Sequence, residues 1–154
     1  MRLSSLLDSD TIVVGPQWTT FEATVRGLAG ALAAGRRIPA ELADEAVQAV
    51  CEREAMSSTS IVEISVSIPH ARLEGLDGVA VALAASPTSL YSTEAGVPIA
   101  ITALVLSAPS MAAQHLNVLS ALSMLLQSEA VRNALRSAED GQAAVAVLQR
   151  LEGP

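Results

Sequence analysis

The 154-residue chain predicts an α/β protein in which a mixed β-sheet is covered by helices on both faces. Three observations carry this. The apolar period is helical from Thr20 to Glu54, extended from Ile61 to Leu106, and helical again from Gln114 onward. Apolar residues make up 51% of the chain but aromatics only 2%, so the core has to be built from Ala, Val, Leu and Ile packed closely between regular elements. The length is that of one ordinary domain and no segment has the charge-dense composition of a disordered tail, so a single domain is expected over residues 1–154.

Taken in order, Thr11 to Val14 is short, β-branched and closed by Gly15-Pro16, which reads as a strand. Phe21, Val25, Leu28 and Leu32 recur at helical spacing between Thr20 and Ala34, and Gly35 supplies the stop. Pro39 suits the first turn of a second helix, whose inner face is Leu42, Ala46, Val50 and Cys51. Ile61, Val62, Ile64, Val66 and Ile68, interleaved with Ser and Glu, predict a strand over 61–67 that stops at Pro69. Strands are expected over 79–84 and 99–106, the latter nearly all apolar, as an interior strand covered on both faces should be. Leu119, Leu122 and Leu126 then mark one face of a helix over 114–127, with His115 on that face near its start. Val131 with Leu135, and Val145 with Leu148 and Leu151, give two shorter helices parted by Asp140-Gly141.

A net charge of −7 with no basic cluster beyond Arg36-Arg37 argues against nucleic acid, whose phosphates demand a basic stripe. Residues 95–113 are uncharged, but Pro98 and Pro109 bracket an apolar run too short for the ~20 residues of a membrane span. Asp8 and Asp10 interrupt the first fifteen residues, which lack the apolar stretch of a secretory leader. The single cysteine, Cys51, fits a reducing compartment. A cytoplasmic protein without direct membrane insertion is expected. Trp18 and Tyr91 are read as marking exposed contacts, and Ser57-Ser58-Thr59 as a polar turn ending a helix. No carboxylate or histidine cluster has metal-ligand spacing and no Gly-rich nucleotide loop is present, so no bound cofactor is expected.

The chemistry has few places to reside. The two histidines, His70 and His115, lie 45 positions apart, and each alone reads as a polar-turn or core-edge residue. His70 is the better candidate because it is placed directly after a strand, at the mouth of a loop, where sites on α/β sheets tend to lie. A neutral imidazole is a nucleophile near pH 7, and Pro69 restricts where its ring can point. Arg53 would offer an always-charged guanidinium fork to phosphate oxygens, and His115 a further donor from the first turns of its helix, where the dipole favours an anion.

The run Arg53-Glu54-Ala55-Met56-Ser57-Ser58-Thr59, continuing to Ser67-Ile68-Pro69-His70-Ala71-Arg72, resembles the active-site signature of the fructose/mannitol/nitrogen-regulatory enzyme IIA family of the bacterial sugar phosphotransferase system. Gly96-Val97-Pro98, Leu104-Val105-Leu106-Ser107-Ala108-Pro109 and Gln114-His115-Leu116 resemble its second half, and Leu3-Ser4-Ser5-Leu6-Leu7 its start. The resemblance implies a five-stranded mixed sheet flanked by helices on both faces. It implies a phosphotransferase component in which His70 accepts a phosphoryl group from an HPr-type carrier, with His115 as its companion and Arg53 stabilising charge. The partners implied are that carrier and a IIB domain or a regulated target protein; the alternative on the same fold is a nitrogen-regulatory binding module that controls a transporter or kinase by contact. The stretch Ser60 to Ser67 departs from the family's glycine-rich pattern and is one residue longer than its usual spacing, which predicts a bulge or longer turn before His70. His70, His115 and Arg53 are expected to converge on one exposed depression, and replacing either histidine to leave the fold intact.

Overall fold

The computed structural model describes residues 3–152; the outer two residues at each end of the expected 1–154 span lie outside that description. In chain order the elements are β1 (Ile12–Val14), α1 (Phe21–Ala34), α2 (Ala43–Met56), β2 (Ser60–Ile61), β3 (Val66–Ser67), β4 (His70–Arg72) and β5 (Val79–Ala85). They are followed by β6 (Tyr91–Ser92), β7 (Pro98–Ile99), β8 (Ile101–Ser107), α3 (Ala112–Leu126), α4 (Glu129–Ser137) and α5 (Gly141–Glu152). Short 3-10 turns precede α2 and α3. No helix among the described residues is long and apolar enough to cross a membrane.

The sheet is mixed, as expected. Its order is β1-β5-β8-β3-β2, with β4 also pairing with β8, while β6 and β7 form a separate ribbon. The long central pair, β5 and β8, is antiparallel, whereas β1 on β5 and both β3 and β4 on β8 are parallel. All seven residues of β8 are buried, which explains its largely apolar run, and its two polar residues, Thr102 and Ser107, meet Ser67 Oγ and His115 Nδ1. One face is covered by α1 and α2 through Leu28, Leu32, Val47 and Val50, the other by α3, α4 and α5 through Val118, Leu122, Leu135 and Leu148. Each such fully buried aliphatic side chain contributes about 1.5–3 kcal/mol of transfer free energy.

Local chemistry sets the boundaries. Thr20 caps α1 by accepting from the Ala23 N–H at 3.0 Å, so it stands outside the helix it was expected to begin. Ser128 and Asp140 cap α4 and α5 in the same way. Gly141 opens α5 because the helix start presses on the chain before β1: a Cβ there would lie 2.5 Å from the Ser9 carbonyl oxygen.

The sheet has six strands where five were expected, because the segment 61–67 is not one strand. After Ile61 the chain turns back through a 3-10 turn at Val62–Ile64 and Ser65, and Val66–Ser67 pairs antiparallel with Ser60–Ile61. Alternating β-branched residues serve this reversal as well as a straight strand, since Ile61 and Ile64 both pack on the α3 side of the core while Glu63 stays in solvent. Ser65 takes the left-handed conformation at φ 57°, and its carbonyl accepts from the Ala100 and Ile101 N–H groups at 2.8 and 3.2 Å. The longer turn foreseen before His70 is thus present.

A second correction concerns His70 itself. The chain does not leave the sheet at Pro69: the Pro69 carbonyl accepts from the Val105 N–H at 3.0 Å, and His70–Arg72 continues as β4 beside Val105–Ser107. His70 therefore opens a strand instead of standing at a loop mouth. Tyr91 is a third, since it is only 5% exposed; its hydroxyl donates to Ser67 Oγ at 2.8 Å and its ring meets Phe21 edge-on. Trp18 is half-buried, lying against the position where Gly27 has no side chain.

Candidate active site

The sheet edge at β4 is where helices from both faces come within reach of the same strand. The end of α2 approaches from one side and the start of α3 from the other. Between them lies an open depression of about 550 Å³, lined on its polar side by Arg53, His70, Arg72 and His115. Ala49, Met56, Leu116 and Leu119 line it too, and Met56 and Leu116 stand 83% and 58% exposed, so the rim is apolar. The three residues singled out in the sequence are brought together.

His70 is half-buried, and its Nδ1 lies 2.9 Å from the Ile68 carbonyl oxygen. A carbonyl can only accept, so Nδ1 carries the hydrogen and the lone pair resides on Nε2. Strand geometry makes this contact local: Pro69 carries the chain between the two residues, and the ring folds back on the carbonyl two positions before it. His115 is the fourth residue of α3 and only 3% exposed. Its Nδ1 is 2.5 Å from Ser107 Oγ, at the end of β8, and its ring meets that of His70 edge-to-face with centroids 5.3 Å apart. Burial, the neighbouring His70 and the charge of Arg72 together hold its pKa below the ordinary histidine value. His115 is therefore neutral at pH 7, and one ring nitrogen is a donor.

Arg53, in the last turn of α2, is half-buried and donates from Nη1 to the Ser57 carbonyl at 3.1 Å, which helps close the helix end. Its neighbour Glu54 fixes the turn after the helix, accepting from the Thr59 N–H at 2.9 Å and from Thr59 Oγ1 at 2.6 Å. This clip is the physical content of the Arg-Glu and Ser-Thr pairs in the sequence. Ser57-Ser58-Thr59 is the helix-ending polar turn it was read as. Cys51 is half-buried against the core on the α1 side, and burial, reinforced by Glu22, pushes its thiol up, which disfavours the thiolate.

Two contributors were missed in the sequence. Arg72 lines the depression, and the period of two along β4 that places it beside His70 was available only once 70–72 was known to be a strand. Ser107 stood in the sequence only as one residue of the run that resembles the family's second half, with nothing to tie it to a histidine eight residues on.

The chain matches, over residues 5–151, the family described as the phosphoenolpyruvate-dependent sugar phosphotransferase system, EIIA 2. It is 31% identical over 104 residues to the fructose-specific EIIABC component of Bacillus subtilis, a match that takes in 67% of this chain but 16% of that longer protein. It is 33% identical over 106 residues to the fructose-specific EIIA component of Haloferax volcanii, covering 68% of each. Among solved structures, the nitrogen regulatory protein IIA-Ntr of Neisseria meningitidis superposes with a TM-score of 0.79 at 19% identity, over 96% of this chain and 99% of that one. A complex of enzyme IIA-Mtl with phosphorylated enzyme IIB-Mtl from Escherichia coli gives 0.70 at 20% identity, over 92% and 96%. The structural likenesses carry the fold, and the match over residues 5–151 carries the family: the chain belongs to the EIIA type-2 family of the phosphoenolpyruvate-dependent sugar phosphotransferase system.

Proposed function

We propose that this chain is a phosphocarrier domain that accepts a phosphoryl group on Nε2 of His70 from an HPr-type carrier protein and passes it to a IIB partner. The observation that carries this reading is the 2.9 Å bond from His70 Nδ1 to the Ile68 carbonyl, which leaves the nucleophilic lone pair on Nε2 within a depression shared with Arg53 and His115. Domains of this family are components of a phosphotransferase, and such transfer needs in-line positioning and charge stabilisation more than covalent machinery.

In the step proposed, the Nε2 lone pair attacks phosphorus as the donor's P–N bond breaks and its electron pair returns to the donor ring. His70 keeps its Nδ1 proton, whose bond to the Ile68 carbonyl strengthens as the ring becomes positive. Arg53 receives the charge of the phosphoryl oxygens, about −1.5 to −2 if phosphohistidine resembles other phosphoresidues. With Ser107 donating to its Nδ1, neutral His115 presents Nε2–H to the phosphoryl oxygens and has its basic lone pair occupied. The donor arrives on another protein, so a shallow site with an apolar rim at Met56 and Leu116 suits the encounter better than an enclosed pocket. Such transfer belongs in the cytoplasm, among soluble carriers.

The test is to incubate the chain with a phosphorylated HPr-type carrier and then with a IIB domain. An acid-labile label that appears on the wild type, is absent from His70→Ala and moves on to the IIB domain is the expected result. Undiminished labelling of His70→Ala, or an acid-stable phosphate, contradicts the assignment. Labelling without onward transfer points instead to the regulatory module.

A further inference from the structure

Arg72 is a charged side chain in the depression for which the transfer through His70, Arg53 and His115 has no use. It stands two residues beyond His70 on β4, so the two side chains leave the same face of the strand while Ala71 between them packs into the α1/α2 core. Two strand positions are about 6.6 Å apart, within the span of an arginine side chain. In the parallel register Arg72 lies opposite Ser107, the residue that holds His115. The residue is exposed, and its guanidinium makes no hydrogen bond or ion pair among the described residues. That separates it from Arg26 and Arg37, which pair with Asp44 and Asp8, and from Arg53, Arg132 and Arg136, which donate to carbonyls. The one carboxylate in the lining, Glu52, already accepts from Gln48 Nε2 at 3.1 Å.

We propose that Arg72 is a second phosphoryl-binding arginine, closing on the oxygens of the phosphoryl group on His70 from the β4 side while Arg53 closes from the α2 side. The inference rests on the reading of His70 as acceptor. It converts a site with one cation into a fork of two, matched to a dianion rather than a monoanion. The charge of Arg72 is already felt across the depression, since it helps hold His115 neutral. An unpaired cation beside the acceptor needs to break no internal bond before it engages the incoming group.

The test uses phosphoramidate, a small donor that makes no protein contacts. The Nε2–P bond forms as the donor P–N bond breaks, and the leaving nitrogen takes the electron pair and a solvent proton. Wild type, Arg72→Gln, Arg72→Lys and the distant control Arg26→Gln are compared for the rate of His70 phosphorylation and for the second phosphate pKa, read by phosphorus NMR. Arg72→Gln is expected to slow phosphorylation by about tenfold or more and to raise that pKa. Arg72→Lys should recover part of both, and Arg26→Gln should match wild type. A Gln variant with wild-type rate and wild-type titration overturns the proposal. So does a variant impaired only in its KM for a protein carrier, which would make Arg72 a docking residue. Wild-type labelling at a residue other than His70 overturns the assignment of the acceptor itself, a different result from either.

Discussion

The two walls of the depression treat their histidines in opposite ways. On the β4 wall His70 is half-buried, sits on an edge strand, and spends Nδ1 on a backbone carbonyl. On the α3 wall His115 is almost wholly buried, sits inside a helix, and spends Nδ1 on the Ser107 hydroxyl. A carbonyl fixes the tautomer, because it can only accept. A hydroxyl does not, because it can donate or accept. This contrast supports the proposal that His70 is the nucleophile: the reachable ring has a lone pair committed to Nε2, whereas the buried ring is kept neutral and held in place.

The largest effect expected follows from this asymmetry. His70→Ala should abolish phosphoryl acceptance, whereas His115→Ala, losing one of several groups around the phosphoryl oxygens, should slow it by about 10²–10³. In stability the order reverses, because His115 is buried whereas His70 is only half-buried, though both replacements are still expected to leave the fold intact. His115→Ala empties a buried site and leaves the Ser107 hydroxyl without its partner, costing about 1–3 kcal/mol. His70→Ala should cost less than half of that. Chemical denaturation of the two variants beside a phosphorylation assay checks both orders at once.

Ser107→Ala isolates the α3 wall with a smaller effect. It keeps both rings but frees His115 to rotate, so phosphorylation should slow by about tenfold, with His70→Ala remaining inactive. The pH dependence is gentler still. The pKa of His115 lies below that of an unfolded histidine, about 6.5, so the unfolded chain takes up its proton first as the pH falls. The stability this histidine contributes is fully present above that pH and is lost as the pH drops through the lower, folded-state value. Measured against His115→Gln, the wild-type advantage should shrink steadily from pH 7.5 to 5; an advantage that grows would contradict the buried neutral ring.

The smallest effect lies on the path into β4. Ser65 holds the left-handed conformation that glycine adopts freely, at φ 57°. Ser65→Gly should therefore be neutral or stabilising by up to about 1 kcal/mol, without altering phosphorylation.

Much of this was legible in the sequence where the apolar period is long. The helices around Leu28, Val50 and Leu122, and the central strands, depend on repeated packing that a pattern records directly, although the strand expected over 99–106 begins at Ile101, with Ile99 in the separate β6/β7 ribbon. The region from Ser60 to Arg72 was not legible. Its strands are two or three residues long, and whether Ile61 and Ile64 face the core from one strand or across a reversal is decided by β8, a partner far along the chain. The site divides in the same way. His70, His115 and Arg53 were found because their residue types and the family resemblance name them. Arg72 and Ser107 were hidden because their importance comes from strand register, which no local pattern contains.

The choice of nucleophile is decided by nitrogen and phosphorus NMR of the phosphorylated chain labelled at its histidines. Phosphorus coupled to Nε2 of His70, with the Nδ1 proton still present and still bonded to the Ile68 carbonyl, is the expected result. A phosphoryl group on Nδ1 of His70, on His115, or on the Ser57-Ser58-Thr59 turn would contradict it.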